Sequence, residues 1–115
     1  MWIMVSGPYR TGANSKEERR ANLLALNRAA LDILHMGHVP VVAVSMVLPM
    51  FEAADGASYE EIMLPLSVAL ADRCDAVVRL AGESTNADIE VERVRTGGGR
   101  VFRSTAEVPE AFESE

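Results

Sequence analysis

The stretch from Ala81 to Gly99, AGESTNADIEVERVRTGGG, contains a polar loop, a helix-forming segment and a glycine-rich stop. One side of the predicted helix is apolar and the opposite side is polar: the first holds Ala87, Val91 and Val94, and the second Asp88, Glu92 and Arg95. Glu90 borders the apolar side near a helix N-terminus that Thr85 is expected to cap, with Asp88 three residues on. A carboxylate beside a core and near exposed amides suits a nucleophile or an anchor, whereas a partly exposed structural glutamate is the simpler interpretation.

Four short apolar runs in the chain have the composition of strands, and the first is an unbroken run typical of a strand buried on both faces. The runs are Trp2–Val5, His38–Val44, Asp75–Leu80 and Arg100–Phe102. Pro40 removes a hydrogen-bond donor from the second run, which should therefore lie at the edge of a sheet. Arg79 indicates one partly open position in the third.

Helical patterns separate these runs, and capping boxes begin two of them: Ser15 with Glu18, and Ser58 with Glu61. The first helix should end at Gly37, and the second should run toward Arg73 with a kink or a restart at Pro65. The intervening segment Ser45–Ala57 is apolar and broken by proline. It predicts an irregular connection that lines a pocket, packs under a lid or contacts another subunit, or one that simply folds onto its own core.

Alternating strands and helices predict an α/β domain, a parallel sheet with helices on both faces in a three-layer sandwich. With right-handed crossovers the simplest strand order is 2-1-3-4. Ligands bind such sheets beyond the carboxyl ends of the strands, where the order reverses. Here that point lies between the first and third strands, so the loops Gly7–Gly12 and Ala81–Asn86 should meet there.

These two loops have the residues of a small anionic site. Glycines permit close backbone approach, Arg10 can bind a phosphate or carboxylate with two hydrogen bonds, and the start of the last long helix supplies hydroxyl and amide donors. The predicted substrate-binding residues are Gly7, Tyr9, Arg10, Ser84 and Asn86. The loop matches neither GxGxxG nor GxxxxGK[ST], and the GxSxG motif of acyl hydrolases is absent from the sequence.

Composition narrows the class of protein. A chain of 115 residues fits one domain, residues 1–115, and its net charge of −6 argues against binding a nucleic-acid polymer, though not against a single nucleotide. No apolar run reaches the roughly 18 residues of a membrane helix and no secretion leader is recognised, so we expect a cytoplasmic protein that does not bind membranes. Cys74 is interpreted as a buried small hydrophobic residue and His35 and His38 as structural or surface residues, and neither a metal nor a cofactor is expected.

Four short motifs resemble the nucleoside 2-deoxyribosyltransferase-like superfamily, which includes a deoxynucleotide N-glycosidase branch and many small members. They are GPYR after the first strand, GHVPVV at the end of the first helix, CDAVV in the third strand and the helix Ser84-x-x-Ala87-Asp88-x-Glu90. The resemblance implies a flavodoxin-like sandwich. It also implies a homodimer or larger homo-oligomer in which a neighbour helps to close the pocket, with Ser45–Phe51 as a contributor.

The resemblance assigns the catalytic nucleophile to Glu90 and substrate contacts to Gly7, Arg10 and Ser84. Glu90 would attack the anomeric carbon of a nucleoside or nucleotide and release the base, leaving a glycosyl-enzyme for water or a second base. One position departs from the pattern: active members often carry an aspartate where this chain has Ser67. Two alternatives therefore stay open, a nucleotide-binding module without chemistry and an enzyme that cleaves NAD as TIR-like domains do.

Overall fold

The computed structural model, which describes residues 1–111, contains four strands separated by four α-helices, two of which lie between the second and third strands. In order they are β1 (Trp2–Ser6), α1 (Lys16–His35), β2 (Val39–Val41), α2 (Ala43–Ala53), α3 (Tyr59–Ala71), β3 (Ala76–Arg79), α4 (Thr85–Thr96) and β4 (Arg100–Phe102), followed by a short 3-10 helix (Thr105–Glu107). The predicted domain also includes residues 112–115, which lie outside the described part of the chain.

All strand pairs are parallel, and the sheet order is β2-β1-β3-β4, as predicted. β1 and β3 pair with Ile3 opposite Ala76 and Ser6 opposite Arg79, so both strands end at the same edge of the sheet. Right-handed crossovers place α1 on one face and the other three α-helices on the opposite face, where α3 contacts both α2 and α4. The architecture is a flavodoxin-like α/β sandwich.

The core lies on both faces of β1 and β3. Fully buried side chains include Ile3 and Met4 of β1, Val77 and Val78 of β3, and Ile33 of α1. This burial on both sides explains why consecutive residues of the two strands, Ile3–Val5 and Ala76–Val78, are apolar.

The second strand is shorter than predicted but lies at the predicted sheet edge. β2 ends at Val41, and the expected strand residues Ala43 and Val44 instead begin α2. Pro40 lies opposite Ile3 of β1, in an edge strand that needs no donor on its outer side.

The prediction of an irregular connection over Ser45–Ala57 is wrong, because most of this segment belongs to α2. The sequence gives no start signal for this helix: its N-cap, Val42, makes no side-chain capping bond, and Pro49 lies in the helix interior. Tertiary packing overrides these local signals, since Val47 is fully buried and α2 packs along α3. Likewise α3 runs through Pro65 as one helix rather than restarting there.

Among the described residues, each helix is too short or too polar to cross a lipid bilayer.

Candidate functional site

Glu90 lies in the second turn of α4, on the side that packs against the sheet and α3. The helix begins one residue earlier than predicted: Ser84, not Thr85, is the N-cap, and its hydroxyl accepts a hydrogen bond from the backbone N–H of Ala87 at 3.2 Å. Ala87, Val91 and Val94 are buried as the helical pattern predicts. Glu90 is buried with them, at 3 % exposure, so the partly exposed glutamate of the simpler interpretation is not what the fold produces.

The carboxylate of Glu90 is held by a hydroxyl at the end of β1. The Ser6 Oγ donates a hydrogen bond of 2.7 Å to Glu90 Oε1, and both side chains are buried. Ser6 pairs with Arg79 in the sheet, and the Leu80 N–H donates to the Ser6 carbonyl at 2.8 Å. The partner of Glu90 is therefore fixed by the sheet at the point where β1 and β3 end.

Burial raises the pKa of Glu90 to about 7, while the Ser6 hydrogen bond and the charge of Arg79 act in the opposite direction and favour the ionised form. A carboxylic acid with this pKa is partly protonated at neutral pH. Such a group can act as an acid while it is protonated and as a nucleophile once it is ionised, whereas an ordinary surface glutamate is ionised at neutral pH and has no proton to donate.

Two glycines let the β1–α1 and β3–α4 loops approach each other closely. At Gly7, a Cβ atom would lie 3.1 Å from Leu80 Cβ, and at Gly82 it would lie 2.8 Å from Pro8 Cγ. Gly82 also has a φ of +120°, which residues with a side chain rarely adopt. The absence of a Cβ atom at both positions allows the loop that contains Arg10 to pack against the loop that precedes α4.

A narrow pocket of about 50 Å³ lies between these loops and the N-terminal part of α3. All five predicted substrate-binding residues line it: Gly7, Tyr9, Arg10, Ser84 and Asn86. Glu90 lies behind this lining, hydrogen-bonded to the residue that precedes Gly7. The residues predicted to bind substrate thus lie together around one pocket, and the Glu90 carboxylate is more deeply buried than they are.

An aromatic cluster of Tyr9, Tyr59 and Phe51 adjoins this pocket: Tyr9 and Tyr59 line it, and of the three only Tyr9 was predicted from the sequence. The Tyr9 and Tyr59 rings are 6.3 Å apart between centroids, and Phe51 meets Tyr59 edge to face at 5.9 Å. The Arg10 guanidinium lies over Tyr59, 4.3 Å from the ring centroid, and 5.9 Å from that of Phe51. The sequence contained one signal for Phe51: lining a pocket was among the roles expected of the apolar segment that contains it. The pattern did not indicate which residue of that segment would contact the pocket.

Tyr59 is a neutral phenol at physiological pH. Its burial raises the pKa to about 12, against the opposing influence of the Arg10 charge. Glu60, the next residue of α3, also lines the pocket, and its carboxylate accepts a hydrogen bond of 3.3 Å from Asn86 Nδ2. The sequence analysis missed this pocket carboxylate because its position in the first turn of a helix is typical of an ordinary helix-stabilising acid.

Arg79 does not occupy the partly open position predicted for it. Its side chain is buried and its guanidinium donates to the Leu80 carbonyl, to the Gly82 carbonyl at 2.8 Å and to Asp88 Oδ1 at 3.1 Å. These bonds join the end of β3, the following loop and the first turn of α4. Because the loop folds back over the arginine, the position is covered.

Ser67 cannot supply the second carboxylate that the family pattern often has. It is buried one helical turn beyond Met63, which lines the pocket, and its Oγ donates to the Leu64 carbonyl at 3.2 Å. Asp72, the nearest acid further along the chain, pairs instead with Arg93 at the protein surface. Glu60 is the carboxylate that α3 brings to this pocket.

A wider pocket of about 390 Å³ lies on the other side of the β1–α1 loop, lined by Thr11, Asn22 and Gly82 among others. Its charged lining residues are two acids, Glu18 and Glu83. An anionic ligand is therefore better matched by the narrow pocket, which contains Arg10 and the N-terminal end of α4.

The other residues singled out for possible chemistry have structural surroundings. Burial raises the pKa of the Cys74 thiol to about 11, which keeps it protonated and unreactive at neutral pH. His38 is buried and links Met1 to the segment around Pro109. One ring nitrogen lies 2.9 Å from the Met1 amino group and the other 2.6 Å from the Pro109 carbonyl.

No protein-family model matches the chain, and no curated protein matches it either.

Proposed function

We propose that the protein is an N-glycosidase or deoxyribosyltransferase of the nucleoside 2-deoxyribosyltransferase-like kind, acting on a nucleoside or nucleotide through Glu90. The observation that carries the proposal is the buried Glu90 carboxylate, hydrogen-bonded at 2.7 Å to Ser6, the residue that precedes Gly7 in the pocket that Arg10 also lines. A carboxylate that was only structural would be expected at the surface or paired with a neighbouring cation.

In the proposed reaction, ionised Glu90 attacks the anomeric carbon of the sugar. The hydrogen bond from Ser6 to Oε1 fixes the plane of the carboxylate, and Oε2 forms the new bond to carbon while the carbon–nitrogen bond breaks. The electron pair of that bond leaves with the base nitrogen, which takes up a proton from water. Water, or the nitrogen of a second base, then attacks the same carbon and releases Glu90. The first outcome is hydrolysis and the second is transfer.

The residues that line the pocket take the roles of binding and orientation. Arg10 and the backbone of Gly7 bind an anionic group such as a 5′-phosphate, assisted by the N-terminal end of α4 at Ser84. Asn86, already hydrogen-bonded to Glu60, offers amide contacts to a sugar hydroxyl or a base.

The test is chromatography of a panel of nucleosides, nucleotides and NAD after incubation with the wild-type protein and with Glu90→Gln. We expect base release from at least one substrate, lost in Glu90→Gln and retained in Glu92→Gln, which removes an exposed carboxylate from the same helix. Because the nucleophile must be ionised, the rate should rise with pH through the region of the Glu90 pKa, about 7. Equal rates for wild type and Glu90→Gln would end the assignment.

A nucleotide-binding module without chemistry is the second candidate, favoured by the hydrogen bond that ties the Ser67 hydroxyl to its own helix where an acid is expected. In that case nucleotides should raise the melting temperature of the wild type, Arg10→Ala should abolish this effect, and neither protein should release base. General acid catalysis contributes typically 10²–10⁴-fold, so a site without its acid is slowed rather than inactive. Long incubations therefore belong in the panel.

We also propose that the protein forms a homodimer or larger homo-oligomer. Met46 and Met50, one turn apart on α2, are 48 % and 40 % exposed, and Leu64 of α3 is 41 % exposed. Exposed methionines and leucines on neighbouring helices are typical of a surface that contacts another subunit. Light scattering would test this, and Met46→Lys with Met50→Lys should shift the population toward monomer.

A further inference from the structure

The Arg10 guanidinium lies over the rings of Tyr59 and Phe51, and Tyr9 stacks against Tyr59; we call these three rings the aromatic cage. It is a planar cation lying 4.3 Å from the centroid of the Tyr59 ring, a geometry in which the electron-rich face of the ring attracts positive charge. Tyr59 itself is buried and held by Tyr9 and Phe51, whereas Arg10 is exposed. The ring is therefore the fixed part of this contact, and the arginine is the part that can move.

The pocket is too small to admit a nucleotide base while Arg10 stays in the cage. Its volume of about 50 Å³ compares with about 300–1,000 Å³ for a typical small-molecule site. If Arg10 turns toward the phosphate of an incoming nucleotide, as the proposed function requires, it leaves the face of Tyr59 uncovered. The ligand group best suited to take the place of the guanidinium on the Tyr59 ring is also planar and positively charged.

We propose that the Tyr59 face of this cage is the base subsite and that it selects nucleotides whose base is a planar cation, such as a pyridinium or an N7-alkylpurinium. The inference rests on the proposed function for the exchange of Arg10 onto the phosphate. Charge supports it: Glu60 lines the same pocket, and its carboxylate is retained in the Glu90→Gln protein used for the binding test below.

A cationic base also matches the chemistry that the residues can perform. As the Glu90 Oε2–carbon bond forms, the bond between carbon and ring nitrogen breaks, and its electron pair stays on that nitrogen. The positive charge of the ring is cancelled, and the base leaves as a neutral molecule without receiving a proton. A site in which Ser67 stands where an acid is expected, with its hydroxyl bonded to the Leu64 carbonyl, is sufficient for this substrate class.

The test uses pairs of ligands that differ in ring charge and share the same ribose phosphate. Nicotinamide mononucleotide is compared with its reduced dihydropyridine form, and N7-methylguanosine monophosphate with guanosine monophosphate. Binding is measured by calorimetry on Glu90→Gln, so that no ligand is consumed, and base release is measured on the wild type. We expect the cationic member of each pair to bind about 2- to 30-fold more tightly, the range of a cation on an aromatic face.

Two ring variants separate the cage from general effects on the site. Tyr59→Phe keeps the aromatic face and should keep the preference for the cation, whereas Tyr59→Leu should reduce it to less than about twofold. Tyr59 is in the core, so Phe51→Leu, at a half-buried position, is the second test if Tyr59→Leu does not fold. It should lower the preference in the same direction.

The outcomes distinguish this inference from the proposed function. Equal affinity within both pairs, or no binding of either cationic ligand, overturns the cation-selective subsite. Release of base from neutral deoxynucleotides together with equal affinities would leave the glycosidase proposal standing and the subsite overturned. A preference for the cation that Tyr59→Leu removes, without base release from any substrate, would support the subsite and overturn the glycosidase.

Discussion

Replacing Glu90 by glutamine should stabilise the protein, and the gain should depend on pH. Burial raises the pKa of this carboxyl from 4.5 to about 7, so the folded protein holds the proton more tightly than the unfolded chain does. Between these pH values unfolding releases a proton, and the contribution of Glu90 to the free energy of unfolding therefore falls as pH rises. The contribution of Glu90 to stability is fully present below pH 4.5 and is lost as the pH rises through the folded-state pKa of about 7.

The magnitude follows from the same two values. A pKa of about 7 instead of 4.5 corresponds to about 3 kcal/mol of destabilisation once the carboxyl is ionised. Glutamine is neutral, has nearly the same shape and can still accept the hydrogen bond from Ser6. Relative to the wild type, Glu90→Gln should be stabilised by under about 1 kcal/mol at pH 5 and by about 3 kcal/mol at pH 8, equivalent to roughly 10 °C in melting temperature.

Urea unfolding of both proteins at half-unit steps from pH 5 to 8, followed by circular dichroism, measures this difference. The free energy of unfolding of the wild type is subtracted from that of the variant at each pH. This subtraction cancels the contribution of every other titrating group that behaves alike in the two proteins. Glu92→Gln is the matched control, because Glu92 is exposed on the same helix and its replacement should give a difference that changes little with pH. A Glu90→Gln difference that is constant from pH 5 to 8 would refute the reasoning, as would a variant that is less stable at pH 8.

Two further predictions concern the groups that hold Glu90 and its loop. Ser6→Ala should cost about 1–2 kcal/mol more at pH 8 than at pH 5, because its hydroxyl donates to the ionised carboxylate; equal losses at both pH values in the same urea series would contradict this. Arg79→Gln should cost about 2–3 kcal/mol, because it leaves the Leu80 and Gly82 carbonyls without their guanidinium donors. Asp88→Asn should cost under about 1 kcal/mol, because the Asp88 side chain is 73 % exposed. Similar losses for both variants would show that the ion pair, not the carbonyl contacts, determines the stability.

The sheet could be predicted from the sequence because its determinants are local. Short apolar runs identify β1 and β3, and Pro40 identifies an edge strand. The separation of the strands by helices leaves few topologies once crossovers are right-handed. The helix α2 could not be predicted, because it lacks a capping residue and contains Pro49. It is stabilised by burial of residues such as Val47 against distant parts of the chain, which no local pattern records.

The candidate site was predictable to the extent that the sheet order brings loops together. That order places the residues after β1 and those before α4 at one edge, and both groups line the same pocket. The aromatic cage depends instead on how α2 and α3 pack, so Phe51 and Tyr59 could not be assigned. The burial of Glu90 could not be predicted either. A helical pattern indicates the direction in which a side chain points, but not how far neighbouring elements shield it from solvent.

The energetic position of Glu90 offers a physical link between its burial and the proposed chemistry. In the free protein the ionised carboxylate is poorly solvated, with the Ser6 hydroxyl and the more distant Arg79 charge only partly compensating for lost water. The transition state of glycosidic cleavage develops positive charge at the anomeric carbon, which would give the carboxylate a charge partner that it lacks in the free protein. Interactions that are stronger in the transition state than in the ground state are the ones that accelerate a reaction. A burial that weakens the fold by about 3 kcal/mol above pH 7 is thus a candidate source of catalytic stabilisation, which a surface glutamate would not provide.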